Sequence, residues 1–227
     1  MYKFYRLFAD KKESSMKNNL TELFMRCLRA QYIKVENDAS YALERKSDVL
    51  YLFFEHSRGK TDWKNNLDFP SVPYKRMDTV WRCHRGFLRV WKSILPYIEA
   101  VIHDKGVKNI ITVGYSHGGA IATLAHEYVW YERSDLRDKI EGYGFGAPKV
   151  FFGNCANSCA QRWERYCVVK NDGDVVTSLP PDLFGFSHVG KLIQIGDGSC
   201  NPIDAHRKES YIKSLKRYEH IDTAFIL

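Results

Sequence analysis

The sequence predicts an α/β domain built on a mostly parallel central sheet with helices on both faces. Three observations point there. Apolar runs of strand length alternate along the chain with longer segments of helical periodicity. The run DVLYLFFE at Asp48–Glu55 is continuously apolar between its two charged ends, as a strand buried on both faces should be. A length of 227 residues, 44% hydrophobic and 27% charged, is enough for one sizeable core, so a single domain over residues 1–227 is expected.

The elements follow in order. Asn18–Tyr32 carries apolar residues at Leu20, Leu23, Phe24, Cys27 and Leu28, which is helical spacing. Asp48–Glu55 is the first long strand, and the polar stretch HSRGKTDWKNN follows it. His84–His103 reads as a helix with Pro96 as a candidate kink. Lys108–Val113 is a strand, and His117–Arg133 a helix. Ile140–Phe145, Arg165–Lys170 and His188–Ile195 are further strands, and Arg207–Tyr218 closes as an amphipathic helix. Alternation of this kind favours right-handed crossovers between parallel strands, and such sheets bind ligands at the carboxyl ends of their strands.

Bulk properties narrow the functional classes. The net charge is +7, with Lys and Arg interspersed among Asp and Glu and no basic stripe, so a solvated surface is expected rather than a nucleic-acid partner. No apolar run reaches the roughly 20 residues of a spanning helix, so membrane contact is at most peripheral. Before Asp10 the opening MYKFYRLFADKKESS has only a scrap of apolar sequence, against the about 7–15 residues of an export signal, so a cytoplasmic protein with reduced cysteines is expected. Cys155 and Cys159 form a CxxxC, but no CxxC or clustered His/Cys set points to a metal.

The chemistry concentrates at ITVGYSHGGAIA, residues 111–122. GYSHG fits G-x-S-x-G between a strand and a helix. A sharp turn there lifts the Ser116 hydroxyl clear of the sheet, and the flanking glycines leave room for close packing. The amide of His117, at the helix N-terminus, can face a developing oxyanion. A serine nucleophile needs a base, and the base needs an orienting carboxylate. In this architecture the chain order is Ser, then acid, then His. Asp172, Asp174 and Asp197 all fall near strand ends, with Asp174 first and Asp172 the runner-up. His188 precedes its strand and His220 follows the last helix, both at the wrong end; His206 lies after a strand and before a helix, where the base belongs.

With these residues in place, the chain resembles the class 3 lipase family, a branch of the α/β-hydrolase fold. CHRGFLRVW, GYSHGGAIA, YGFGAPKV, VVKNDGDVVTSLPP and DAHRKESYI match family segments in one order, from about Leu50 to His206. The resemblance implies a serine hydrolase that cleaves carboxylic esters of lipids or small acyl esters without a cofactor. It assigns Asp174 as the acid and His206 as the base. It also implies a second oxyanion donor at Ser57, in FFEHS. Two alternatives accompany it: a phospholipase or lysophospholipase, and an inactive hydrolase fold used for binding.

The chain departs from the family pattern at several points. His56 stands where relatives usually carry Gly, and its Cβ restricts the backbone that aims the Ser57 donor. Tyr115 and His117 replace the more usual His and Leu around the serine. In relatives that act on oil droplets, the segment after the oxyanion residue is an amphipathic helix. Here it reads RGKTDWKNN, with Trp63 as its single large apolar residue. Such a segment has little apolar area to lay on lipid, at roughly 25 cal/mol per Å². Little or no rate jump is therefore predicted when an ester substrate passes from monomer to emulsion, and a clear jump in initial rate across that transition would count against the reading.

Overall fold

The computed structural model describes residues 19–56, 70–74, 81–153 and 160–224. Ser57, Trp63 and the rest of the polar segment lie outside the described residues, as do Cys155 and Cys159.

The chain begins with helix α1 (Leu20–Arg29), capped by the Asn19 side chain, which accepts from the Glu22 amide at 2.8 Å. Strands β1 (Ile33–Lys34), β2 (Ser40–Lys46) and β3 (Val49–Phe54) follow. Next come β4 (Ser71–Tyr74), β5 (Trp81–His84) and α2 (Arg85–Ile102). The middle of the chain supplies β6 (Asn109–Tyr115), α3 (His117–Glu132), β7 (Ile140–Phe145) and β8 (Phe151–Phe152). The remainder supplies α4 (Ala160–Trp163), β9 (Tyr166–Asn171), β10 (Phe186–Ser187), β11 (Lys191–Ile195), α5 (Pro202–Ala205) and α6 (Lys208–Ala224).

Among the described residues, the main sheet runs β1-β2-β3-β6-β7-β9-β11. Every pairing from β3 to β11 is parallel, and only the β1–β2–β3 edge is antiparallel. A second, antiparallel sheet in the order β10-β8-β5-β4 stands apart from it. Alternate side chains of the main sheet feed two cores. Leu50, Leu52, Phe54 and Ile110 face α2 and α3, against Trp91, Ile94 and Leu124. Phe53, Ile111, Val113 and Tyr115 face the other way, against Phe24 of α1 and Tyr211 and Leu215 of α6. Helices thus cover both faces, as the sequence predicts.

Helix α3 is buried without a break from His117 to Val129. It lies between the sheet and α2, which explains why its sequence carries no amphipathic stripe. The predicted helix from His84 starts one residue later, because His84 ends β5 and caps α2 by accepting the Phe87 amide on Nδ1 at 3.3 Å. Helix α2 runs on through Pro96. The strand expected over His188–Ile195 begins only at Lys191, after Gly190 at φ 82°.

One buried polar cluster ties the small sheet to α3. Glu127, fully buried, accepts from Tyr74 Oη at 2.5 Å and from Arg162 Nη1 at 2.5 Å. The Arg162 guanidinium also lies 5.0 Å from the Trp81 ring centroid and 4.8 Å from that of Trp130. Removing one partner strands a charge away from water, so Arg162→Leu should lower stability by about 3–5 kcal/mol, read from the denaturant midpoint.

Candidate active site

Strand β6 delivers Ser116 into a backbone conformation that an L-residue rarely adopts, φ 55° and ψ −123°. Its amide donates to Phe145 O at 2.8 Å and its carbonyl accepts from Gly119 at 2.9 Å, so the turn is held from both sides. The flanking glycines are required by contact rather than by φ. A Cβ on Gly114 would meet Gly118 O at 2.0 Å, and one on Gly118 would meet Phe54 O at 2.1 Å. The helix therefore starts closer to the sheet than any side chain permits, and Ser116 is left half-buried at the rim.

The partners arrive from the ends of two neighbouring parallel strands. Asp174 follows β9 by three residues. Its carboxylate is fully buried. His206 follows β11 through α5, whose N-cap Asn201 accepts from the Asp204 amide at 2.9 Å. Ser116 Oγ and His206 Nε2 are 2.8 Å apart, and His206 Nδ1 and Asp174 Oδ2 also 2.8 Å. The Asp174 carboxylate accepts from Nδ1–H, which leaves Nε2 as the acceptor facing Ser116 Oγ. Pairs 90 and 32 positions apart along the chain thus meet in one hydrogen-bonded line.

The carboxylate is itself held. The Val176 amide donates to Asp174 Oδ1 at 2.9 Å, and Tyr211 Oη donates to Oδ2 at 2.6 Å. Burial, reinforced by the charge of Asp174, pushes the Tyr211 phenol well above its ordinary value, so it stays a donor. Thr177 Oγ1 donates to Asp174 O at 2.8 Å, and Asn171 Nδ2 to Ala205 O at 2.8 Å. Tyr211 and Asn171 are absent from the sequence-based site. Tyr211 sits on the apolar stripe of α6 with Leu215, and that stripe masked the use of its hydroxyl.

The other candidates have different employment. Asp172 is partly exposed, and its amide donates to Ile195 O at 2.8 Å. Asp197 accepts from the Ser199 amide at 3.1 Å and pairs with Arg217 of α6. His220 is exposed on α6. His117 is buried, with its ring edge-on to Phe87 at 5.4 Å, while its amide opens α3 beside Ser116. His188 is bonded through Nε2 to Thr177 O at 2.7 Å. Ser57 lies outside the described residues, and His56, just before it, has its ring 5.7 Å from that of Tyr115.

Comparison with known proteins fits this geometry. Residues 51–184 match the family model for lipase (class 3). A secreted mono- and diacylglycerol lipase of Fusarium solani is 32% identical over 161 residues, 67% of this chain and 44% of that protein. A lipase of Rhizomucor miehei is 27% identical over 169 residues, 72% of this chain and 46% of that protein. The chain therefore spans about half the length of these relatives. Among solved structures, Rhizomucor miehei triacylglyceride lipase superposes with a TM-score of 0.65 at 25% identity, over 74% of this chain and 68% of that one. A fungal lipase–inhibitor complex gives 0.67 at 23% identity, over 80% and 78%, a likeness of fold. The cytoplasmic location expected from the sequence is corrected by the Fusarium relative, a secreted lipase. That expectation rested on the start of the chain, and a chain that spans half of its relatives carries no information on export there.

Buried His126 and partly buried His188 make stability depend on pH. Burial pushes His126 down to about 4, and burial also lowers His188, with Lys149 and Lys170 adding repulsion. A depressed folded value means that the neutral form is favoured by folding. Its contribution is complete above the unfolded value of 6.5 and is lost as pH falls toward the folded value. The denaturant midpoint should drop as pH is lowered from about 7 to about 5, and His188→Asn should flatten the drop; an equal drop in the variant would remove His188 from the account.

Proposed function

This chain belongs to the class 3 lipase family, and from that premise we propose that it hydrolyses carboxylic esters of lipids or small acyl esters through an acyl-enzyme. The observation that carries the reading is the line of hydrogen bonds Ser116–His206–Asp174, laid across the carboxyl ends of parallel strands. The relatives' names, which specify mono-, di- and triacylglyceride lipases, favour acylglycerols as the substrate class.

In this reading Ser116 Oγ attacks the ester carbonyl while His206 Nε2 takes its proton. Asp174 keeps the imidazole in the Nδ1–H tautomer and stabilises the imidazolium that forms. His206 then returns the proton to the leaving alcohol, and water reverses the sequence to release the acid. The His117 amide donates to the oxyanion. The Ser57 amide is the second donor, assigned through the family resemblance. Each such donor is worth about 3–4 kcal/mol in the transition state. The chemistry calls for no metal or organic cofactor.

Intact-mass measurement after a fluorophosphonate probe tests the proposal. One adduct is expected on the wild type and none on Ser116→Ala, whose kcat on a soluble ester should fall by about a millionfold. A folded wild type that does not label, or a Ser116→Ala variant that keeps its esterase activity, would defeat it. Rates on acylglycerols, phospholipids and small esters then separate lipase from phospholipase action.

A further inference from the structure

The geometry points to Tyr115 as a positioning residue that holds the His206 backbone and imidazole in place for proton transfer. The inference rests on the hydrolase reading of Ser116 and His206.

Tyr115 ends β6, immediately before the serine, and turns its side chain to the α1/α6 face of the sheet. There it touches the base twice. Its hydroxyl donates to His206 O, and its ring stacks on the imidazole with centroids 5.4 Å apart and planes 25° from parallel. His206 lies between α5 and α6. The first bond of α6 runs from Tyr211 to Arg207 O at 3.1 Å, so the His206 carbonyl falls one residue outside that ladder and is taken up by a side chain instead. Asn171 of β9 holds the preceding carbonyl, Ala205 O, at 2.8 Å. Two consecutive carbonyls are thus pinned from two strands, while Asp174 pins the ring.

The tyrosine is itself rigid. It is 6% exposed, edge-on to Phe24 at 5.3 Å and to Tyr211 at 5.7 Å. Burial first, and then the charges of Asp174 and Glu209, push its phenol above the ordinary value, so it remains a donor. When His206 carries the proton during turnover, the π face of Tyr115 lies against the cation, an attractive arrangement. The residue that precedes the serine therefore also sets the distance from that serine to its base.

Phosphonylation rates of four proteins test this as a cycle: wild type, Tyr115→Phe, His206→Ala and the double variant. Phe keeps the ring packed on Phe24 and Tyr211, so the fold should persist, with an unchanged circular dichroism spectrum. Tyr115→Phe should slow labelling by about 10- to 100-fold in the wild-type background and leave the residual rate unchanged in the His206→Ala background. On a monomeric ester the loss should appear in kcat with KM unchanged, and Tyr115→Leu, lacking the ring as well, should lose more. An equal factor in both backgrounds would mean a merely structural role and overturn the proposal, as would a Tyr115→Phe protein with wild-type kcat. A wild type that neither labels nor turns over overturns the hydrolase reading beneath it, a failure visible before any variant is compared.

Discussion

The approach of α3 to the ends of β3 and β6 is the constraint on which the rest of the site depends. A helix can begin at Ser116 only if no side chain stands between the Gly118 carbonyl and Gly114, or between Gly118 and the Phe54 carbonyl. With that gap closed, Ser116 has no relaxed conformation available and takes φ 55°. The strain is held by backbone bonds to Phe145 and Gly119 and by a helix buried on every side through Val129. The hydroxyl is then aimed by the fold rather than by its own rotamer preferences. The same closeness brings the first turn of α3, with its outward-facing amides, to the atom where negative charge would gather.

The other half of the site depends on register. Parallel pairing of β7 with β9, and of β9 with β11, brings Asp174 and the His206 loop to the same end as Ser116. Polar contacts then tighten what register approximates. Tyr211 and Val176 hold the carboxylate, and Asn171 and Tyr115 hold the carbonyls on either side of the α5 boundary. These supports come from β6, β9, the turn after β9 and α6, so the imidazole is fixed to the frame rather than to its own loop. That is the condition under which a hydrogen bond across 90 residues can keep a length of 2.8 Å.

Much of this was legible in the sequence, and the gaps have physical causes. The parallel strands read clearly because burial on both faces makes them continuously apolar, as in VLYLFF. Ser116, Asp174 and His206 were marked by strand–turn–helix context and chain order. Strand β2 was missed because, near the sheet edge and ending in Glu44, Arg45 and Lys46, it has only the short apolar run Tyr41–Leu43 to announce it. The small sheet was missed because two of its four strands are only two residues long and are defined by partners far away in sequence. Tyr211, Asn171 and the contacts of Tyr115 were hidden for another reason: apolar-stripe positions do not disclose which hydroxyl ends beside a carboxylate.

The crossover order has a consequence for how such a protein comes into being. The Ser116 turn belongs to the middle of the chain, and the imidazole that meets it comes from 90 residues further on, beyond three parallel strands, β7, β9 and β11, and a short helix. Closing so long a loop is entropically slow, and parallel pairing adds to the delay. A nascent chain that has completed β6 and α3 holds a serine with neither base nor carboxylate. The hydrogen-bonded line from Ser116 to Asp174 is therefore completed last, when α5 and α6 dock. Any event that frees the segment beyond β11, whether incomplete synthesis or a proteolytic nick, takes His206 away from Ser116 and uncovers the sheet face that α6 packs against.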